Sequence, residues 1–126
     1  MKLPVNLKDL LTNKRGQWAE RLAEDYLTQH GLELIQRNYS CRMGEIDLIM
    51  QEQDTIIFVE VRYRKNDQYG GGIESIDYRK QKKLNTTAVH YLQNNDRYQE
   101  HPCRIDAMII TGQSPEPLIN WIKNAF

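Results

Sequence analysis

The sequence predicts an α/β fold: a mixed central β-sheet flanked by helices, with core order α-β-β-β-α-β. Three observations carry that prediction. Apolar residues recur at helical spacing in two separate segments. Stretches rich in β-branched and aromatic residues lie between and after them. Gly, Asn and Pro fall at the boundaries. With 126 residues, 40% hydrophobic and 27% charged, the chain can bury a core without disulfides or a structural metal. One domain over residues 1–126 is therefore expected, with residues 1–10 peripheral.

The first helix is expected over Leu7 to Gln29. At about 100° per residue, Trp18, Ala19, Leu22, Ala23, Tyr26 and Leu27 sweep one broad apolar face. Gly31, after His30, supplies a stop signal. Leu32 to Arg37 reads as a short strand and Asn38 to Gly44 as a loop. Glu45 to Met50 and Thr55 to Arg64 are the second and third strands, and Gly70-Gly71-Gly72 marks a loop. A second helix is expected from about Ile76 to Gln93. Its apolar ridge is Leu84, Ala88, Tyr91 and Leu92, continued by Lys80 and Gln81 toward the N-terminal end. Arg104 to Thr111 is a further strand, on which Arg104 and Asp106 share a face and are expected to form a mutual or cross-strand ion pair. Gly112 to Pro117 is turn material, and Leu118 to Ile122 a short strand or turn of helix.

Composition removes several function classes. Seventeen Lys and Arg balance seventeen Asp and Glu, so bulk charge does not drive the chain onto nucleic acid or anionic membrane. A local basic patch is still compatible with that total. The longest apolar runs, such as Ile56-Ile57-Phe58-Val59, are far too short to span a bilayer. Met1 to Leu11 lacks the apolar core and cleavage site of a secretory signal. Cys41 and Cys103 form no CxxC, so reduced thiols in a cytoplasmic protein without a membrane partner are expected. His30, His90 and His101 form no zinc-ligand pattern, and neither GxxxxGK[ST] nor GxGxxG occurs.

The informative feature is acid embedded in apolar strands. Glu45 and Asp47 alternate with Ile46, Leu48 and Met50, and Glu60 interrupts Ile56-Ile57-Phe58-Val59-Glu60-Val61. Burying a carboxylate costs several kcal/mol unless cations or donors compensate it. Alternation puts Glu45 and Asp47 on one face, and Glu60 on a face with Phe58, Arg62 and Arg64. In a hairpin turning at Gln53-Asp54, Asp47 lies opposite Glu60. A four-residue turn gives the same pairing, and a turn at Glu52-Gln53 makes the two diagonal neighbours. Two readings stand at this point. One is a salt-bridge cluster in which Arg62 or Arg64 neutralises Glu60; the other is a Mg²⁺ site, since that hard ion takes one or two carboxylates plus waters and phosphates. On the first helix, Glu20 borders the apolar face one turn after Gly16 and is able to reach the sheet, whereas Glu24 points further toward solvent.

Gly44-Glu45-Ile46-Asp47-Leu48-Ile49, followed by Ile57-Phe58-Val59-Glu60-Val61-Arg62-Tyr63-Arg64, resembles the YraN-like family of predicted endonucleases. That family is related to archaeal Holliday junction resolvases and to the restriction endonuclease-like superfamily with its D…ExK signature. Gly16, Ala19-Glu20, Tyr26-Leu27, Gly31, Arg37-Asn38, Gly70, Lys80-Gln81, Ala88, Tyr91-Leu92, Arg104-Ile105-Asp106 and Asn124-Ala125-Phe126 extend the resemblance over nearly the whole chain, from about Leu11. The resemblance implies a restriction endonuclease-like fold and a Mg²⁺- or Mn²⁺-dependent hydrolysis of DNA phosphodiesters, on branched or damaged DNA. It implies Asp47 and Glu60 as metal ligands, the backbone carbonyl of Val61 as another and Glu20 as an accessory acid. Glu45 either supports the site or caps the start of its strand. The kinship with resolvases makes a homodimer attractive.

One position departs from the signature: Arg62 stands where the superfamily has lysine. Arginine stays protonated, so it can grip a phosphate but cannot act as a base. Either water activated at the metal supplies the nucleophile, or Lys80 reaches in from the second helix. Between Arg62 and Lys83 the chain carries seven basic residues against three acids. Arg62, Arg64, Lys65, Lys80, Gln81 and Lys83 are the candidate nucleic-acid contacts, with Tyr63, Tyr69 and Tyr78 interleaved for stacking or packing. Lys82 reads as a solvated residue. A nucleic-acid-binding module that has lost turnover, and an interaction domain whose acids form salt bridges, are the competing functions.

Overall fold

The structure, a computed structural model, describes residues 7–66, 73, 76–112 and 115–126, with side chains from residue 14 onward. Helix α1 (Leu7–Gln29) buries Ala19, Ala23 and Leu27, with Trp18, Leu22 and Tyr26 packed at the margin of the same face. It ends as expected. Gly31 takes φ +95°, and the Leu32 N–H reaches back to the Leu27 carbonyl at 3.1 Å, satisfying a terminal acceptor.

Strands β1 (Glu33–Cys41), β2 (Gly44–Glu52) and β3 (Thr55–Arg64) form an antiparallel meander. The expected loop over Asn38 to Gly44 is a correction: the chain stays extended to Cys41 and pairs Tyr39 with Ile46, Ser40 with Glu45 and Cys41 with Gly44. That stretch lies on an edge strand with one face in solvent, so it carries no apolar run to betray it. Only Arg42 and Met43 form the turn.

Helix α2 (Tyr78–Gln93) begins two residues later than expected. The Asp77 carboxylate caps it by accepting the Lys80 N–H at 2.8 Å, a standard way to satisfy an orphan donor. Ile76 is buried ahead of the helix instead. A short 3₁₀ turn (Asp96–Tyr98) leads to β4 (Cys103–Thr111), which runs parallel to β3, and β5 (Leu118–Ile122) closes the sheet antiparallel to β4. The result is a mixed five-stranded sheet in the order β1-β2-β3-β4-β5. The α2 crossover is what permits the one parallel pair.

The helices cover opposite faces. Ile56, Phe58, Ile105, Ala107 and Ile109 pack with Leu84, Ala88 and Tyr91 of α2. Their neighbours Ile57, Val59, Met108 and Ile110 pack with Ala19, Ala23 and Leu27 of α1. Among the described residues no helix is long and apolar enough to cross a membrane.

Strict alternation fails beside the middle of β2. In β2, Ile46 packs on the α2 side, whereas Leu48 and Met50 pack on the α1 side. In β1, Arg37 reaches Glu24 of α1, whereas Tyr39 packs against Tyr91 of α2. The two strands therefore change face together, across Asn38 and Asp47. Asn38 has φ +52°, a left-handed conformation that asparagine tolerates better than most residues. The expectation of simple alternation is thereby corrected for Ile46, which lies on the opposite face from Leu48 and Met50.

Candidate functional site

The β2–β3 ladder runs from Glu52–Thr55 to Leu48–Val59 around a turn at Gln53-Asp54. The next pair in that register is Asp47 with Glu60, and there the backbone ladder stops. Asp47 takes over from it: its Oδ2 accepts the Val61 N–H at 2.8 Å. A strand residue projects its N–H and C=O to the same side. In β3 the even residues turn toward β4, since the Ile56 N–H bonds the Pro102 carbonyl and the Arg64 carbonyl accepts from Gly112, both at 2.9 Å. Val61 is odd, so its carbonyl opens into the same gap as the Asp47 carboxylate.

Two more acids approach this gap. Glu60 is 5% exposed and lies at the end of the α2-side face. Glu20 comes from α1, and its carboxyl lies within hydrogen-bonding reach of the Asp47 carboxyl. The crowding shows in their protonation. Burial first, and the Asp47 charge second, push the Glu20 carboxyl up to about 7. The same two causes in the same order push Glu60 up to about 7. Asp47 is raised too, by burial, against the Val61 N–H and Glu20 hydrogen bonds and the Lys80 charge, which pull it down. Nearby carboxylates cannot all ionise cheaply in a half-dry site.

Cations are present but distant. Lys80 Nζ stands 3.7 Å from Glu60 Oε1, and Arg62 Nε 4.0 Å from the same oxygen. The expected pairing of Arg62 with Glu60 is therefore seen, at arm's length. Among the described residues no three acidic, histidine or cysteine side chains converge into a ready metal cage. Asp47 and Glu20 meet each other, while Glu60 leans toward the cations.

The other candidates disperse. Glu45 is exposed at the start of β2, close enough for its charge to raise Glu20 and Asp47. Gln81 has a structural task, its side-chain amide donating to the Ile76 carbonyl at 3.0 Å. Lys83 is exposed on α2, Lys65 is exposed past β3 and Arg64 half-buried at its end. Tyr63 packs edge-on against Trp18, so it is a core residue. Tyr78 is 71% exposed, with Lys82 over its ring. Tyr69 and Gly70-Gly71-Gly72 lie outside the described residues. The Arg104–Asp106 pair forms as expected, at 3.0 Å.

Several contributors had little signal in the sequence. Asn38, whose left-handed backbone accompanies the face change, is one of many polar residues in β1. Glu24 does not face solvent alone, as expected; it forms a two-pronged bond with Arg37 at 2.6 and 2.8 Å. Asp106 gains two donors from far along the chain, Trp121 Nε1 at 2.9 Å and the Asn124 N–H at 2.8 Å. Only the tertiary fold brings such partners together.

The model of the "Uncharacterised protein family UPF0102" matches residues 19–110. A UPF0102 protein of Psychromonas ingrahamii is 51% identical over 126 residues, covering all of this chain and 98% of its own. One from Stutzerimonas stutzeri is 50% identical over 111 residues, covering 88% of this chain and 92% of its own. The match thus spans α1 through β4, the elements that carry every acid of the gap.

Proposed function

Because the chain belongs to the uncharacterised family UPF0102, whose description names no reaction, we propose from the site's own chemistry that it is a divalent-metal-dependent endonuclease hydrolysing DNA phosphodiesters. The observation that carries this reading is the gap at the end of the β2–β3 ladder. Asp47, Glu60 and Glu20 crowd there, and the Val61 carbonyl opens into it. Hard oxygens with surplus negative charge suit Mg²⁺ or Mn²⁺. Asp47, Glu60 and the Val61 carbonyl would hold the ion, which supplies charge neutralisation at a scissile phosphate and a more acidic water.

The chain's own residues do the rest. Glu20, within hydrogen-bonding reach of Asp47, would hold a proton beside it when the ion is absent. Arg62 grips the phosphate and stabilises charge developing on its oxygens. It cannot take up a proton. Lys80, 3.7 Å from Glu60, is the side chain best situated to fill the part that lysine has in the superfamily signature.

Purified protein with Mn²⁺ should cut at least one of single-stranded, duplex, flap and four-way-junction DNA. Asp47→Ala and Glu60→Ala should reduce cleavage to background, and calorimetry should show Mn²⁺ binding that Asp47→Ala loses. Metal binding equal in the variant and the parent would sink the reading. A second reading, a nucleic-acid-binding module without turnover, is favoured by Arg62 itself. Arg62→Lys separates the two: a gain in cleavage rate means that lysine at this position was limiting.

A further inference from the structure

Beside the acidic gap lies a cleft. It has a volume of about 380 Å³ and runs between the β1–β2 turn and the start of α2, lined among others by Cys41, Arg42, Met43, Glu45, Lys80 and Lys83. That is the size range of a pocket for a small ligand or one unit of a polymer. Three cations against one acid leave its walls with two net positive charges.

The cleft is built rather than incidental. Gly44 presses its backbone onto α2 so closely that a Cβ there would meet Thr87 Oγ1 at 2.8 Å. Thr87 is wholly buried, and its hydroxyl is tied to the Lys83 carbonyl at 2.7 Å. The turn bearing Arg42 and Met43 is thereby held against the helix turn bearing Lys83. Met43, 40% exposed at the tip, offers a soft apolar surface. Lys80 lines the cleft and also stands beside Glu60, so one side chain joins the cleft to the acids.

We infer that this cleft seats the phosphodiester backbone of a single DNA strand next to the bond to be cut, with Arg42 and Lys83 on its phosphates and Met43 against a base. The inference rests on the proposed reaction for the cut itself, but strand binding is measurable without it. A volume of about 380 Å³, a positive lining and Lys80 shared with the acidic gap are its grounds. A base face accepts an apolar side chain without regard to sequence, so the seat selects for strand rather than for sequence.

The test is fluorescence anisotropy with a single-stranded DNA oligonucleotide in EDTA, over a range of salt. Removing one phosphate contact should weaken binding and lower the slope of log K against log [salt] by about 0.7. Arg42→Ala and Lys83→Ala should each do so. Met43→Ala should weaken binding with the slope unchanged, and Lys82→Ala should match the parent. As a readout independent of mutation, bound oligonucleotide should slow alkylation of Cys41, which lines the cleft, but not of exposed Cys103 at the far end of the sheet. Parental slopes in both basic variants, or equal protection of the two thiols, overturns the inference. Binding in EDTA is read without any cleavage, so failure to cut DNA in the separate Mn²⁺ assay would count against the nuclease reading alone.

Discussion

Two buried acid sites sit on this one sheet, and they are solved in opposite ways. Asp106 is wholly buried and its oxygens are met by Arg104 Nε, Trp121 Nε1 and the Asn124 N–H, all within 3.2 Å. At the other, among the described residues, Asp47 takes one backbone donor and Glu60 has two cations 3.7 to 4.0 Å off, with Glu20 close by. The first site is complete within the chain. The second has more negative charge than the described residues neutralise, and burial together with the Asp47 charge pushes two of its carboxyls up to about 7. A carboxylate satisfied by the chain stabilises the fold; one left short is disposed to receive a cation from outside.

That contrast predicts opposite responses to losing the acid. Asp106→Ala strands Arg104 and two N–H groups, and should cost about 3–5 kcal/mol in urea denaturation. Glu60→Gln should do the reverse when metal is absent. The folded Glu60 carboxyl is raised from 4.5 to about 7, so between those values the folded chain holds more protons than the unfolded one. Stability therefore falls as pH rises through that window, and the deficit is complete above about pH 7. Glu60→Gln should gain roughly 1–3 kcal/mol over the parent at pH 8 and almost nothing at pH 4. An equal gain at both pH values would mean that charge crowding is not its source.

Metal sharpens the same comparison. Mg²⁺ at a hundred times its Kd should add about 2.7 kcal/mol to the parent, seen as a rise in Tm of several degrees. The rise should be larger at pH 8 than at pH 5.5, because bound protons compete with the ion, and absent in Asp47→Asn. The smallest effect concerns Gly16, one turn before Glu20. Beyond the helix's own backbone and its chain neighbours, no atom of the described residues lies within 4 Å of a Cβ added there, so close approach to the sheet does not demand glycine. Gly16→Ala should stabilise α1 by about 0.4–1 kcal/mol and leave the acid cluster's pH response unchanged.

Much of this was legible in the residues. The helical faces of α1 and α2, the β-branched run of β3 and the hairpin turn at Gln53-Asp54 follow from local patterns that the tertiary fold reinforces. So does the register that sets Asp47 opposite Glu60, because register in a tight hairpin is set by its turn. What sequence could not show was the gap itself. Strict alternation carries Asp47 to one face, whereas the chain sets it where β2 changes face, within reach of Glu20 on one side and Lys80 on the other. That arrangement depends on a left-handed Asn38 in the neighbouring strand, a cross-strand event with no local signature. The extension of β1 to Cys41 was hidden for a related reason, since an edge strand needs few apolar residues. For Asp106 the local pattern predicts Arg104 alone as a partner; its remaining donors arrive from β5 and beyond.

The irregular path of β1 has a consequence for the molecule in a crowded cell. An edge strand with regular, flat pleating is a template for a strand of another molecule, and that is how soluble sheets begin to aggregate. Here β1 lies at the edge of the sheet, carries a register shift between Leu34 and Gln36, and turns left-handed at Asn38. An incoming strand would find its ladder interrupted twice within a few residues. The kink that accompanies the opening around Asp47 also denies the free edge to stray copies of the chain, so straightening Asn38 endangers solubility as well as the site.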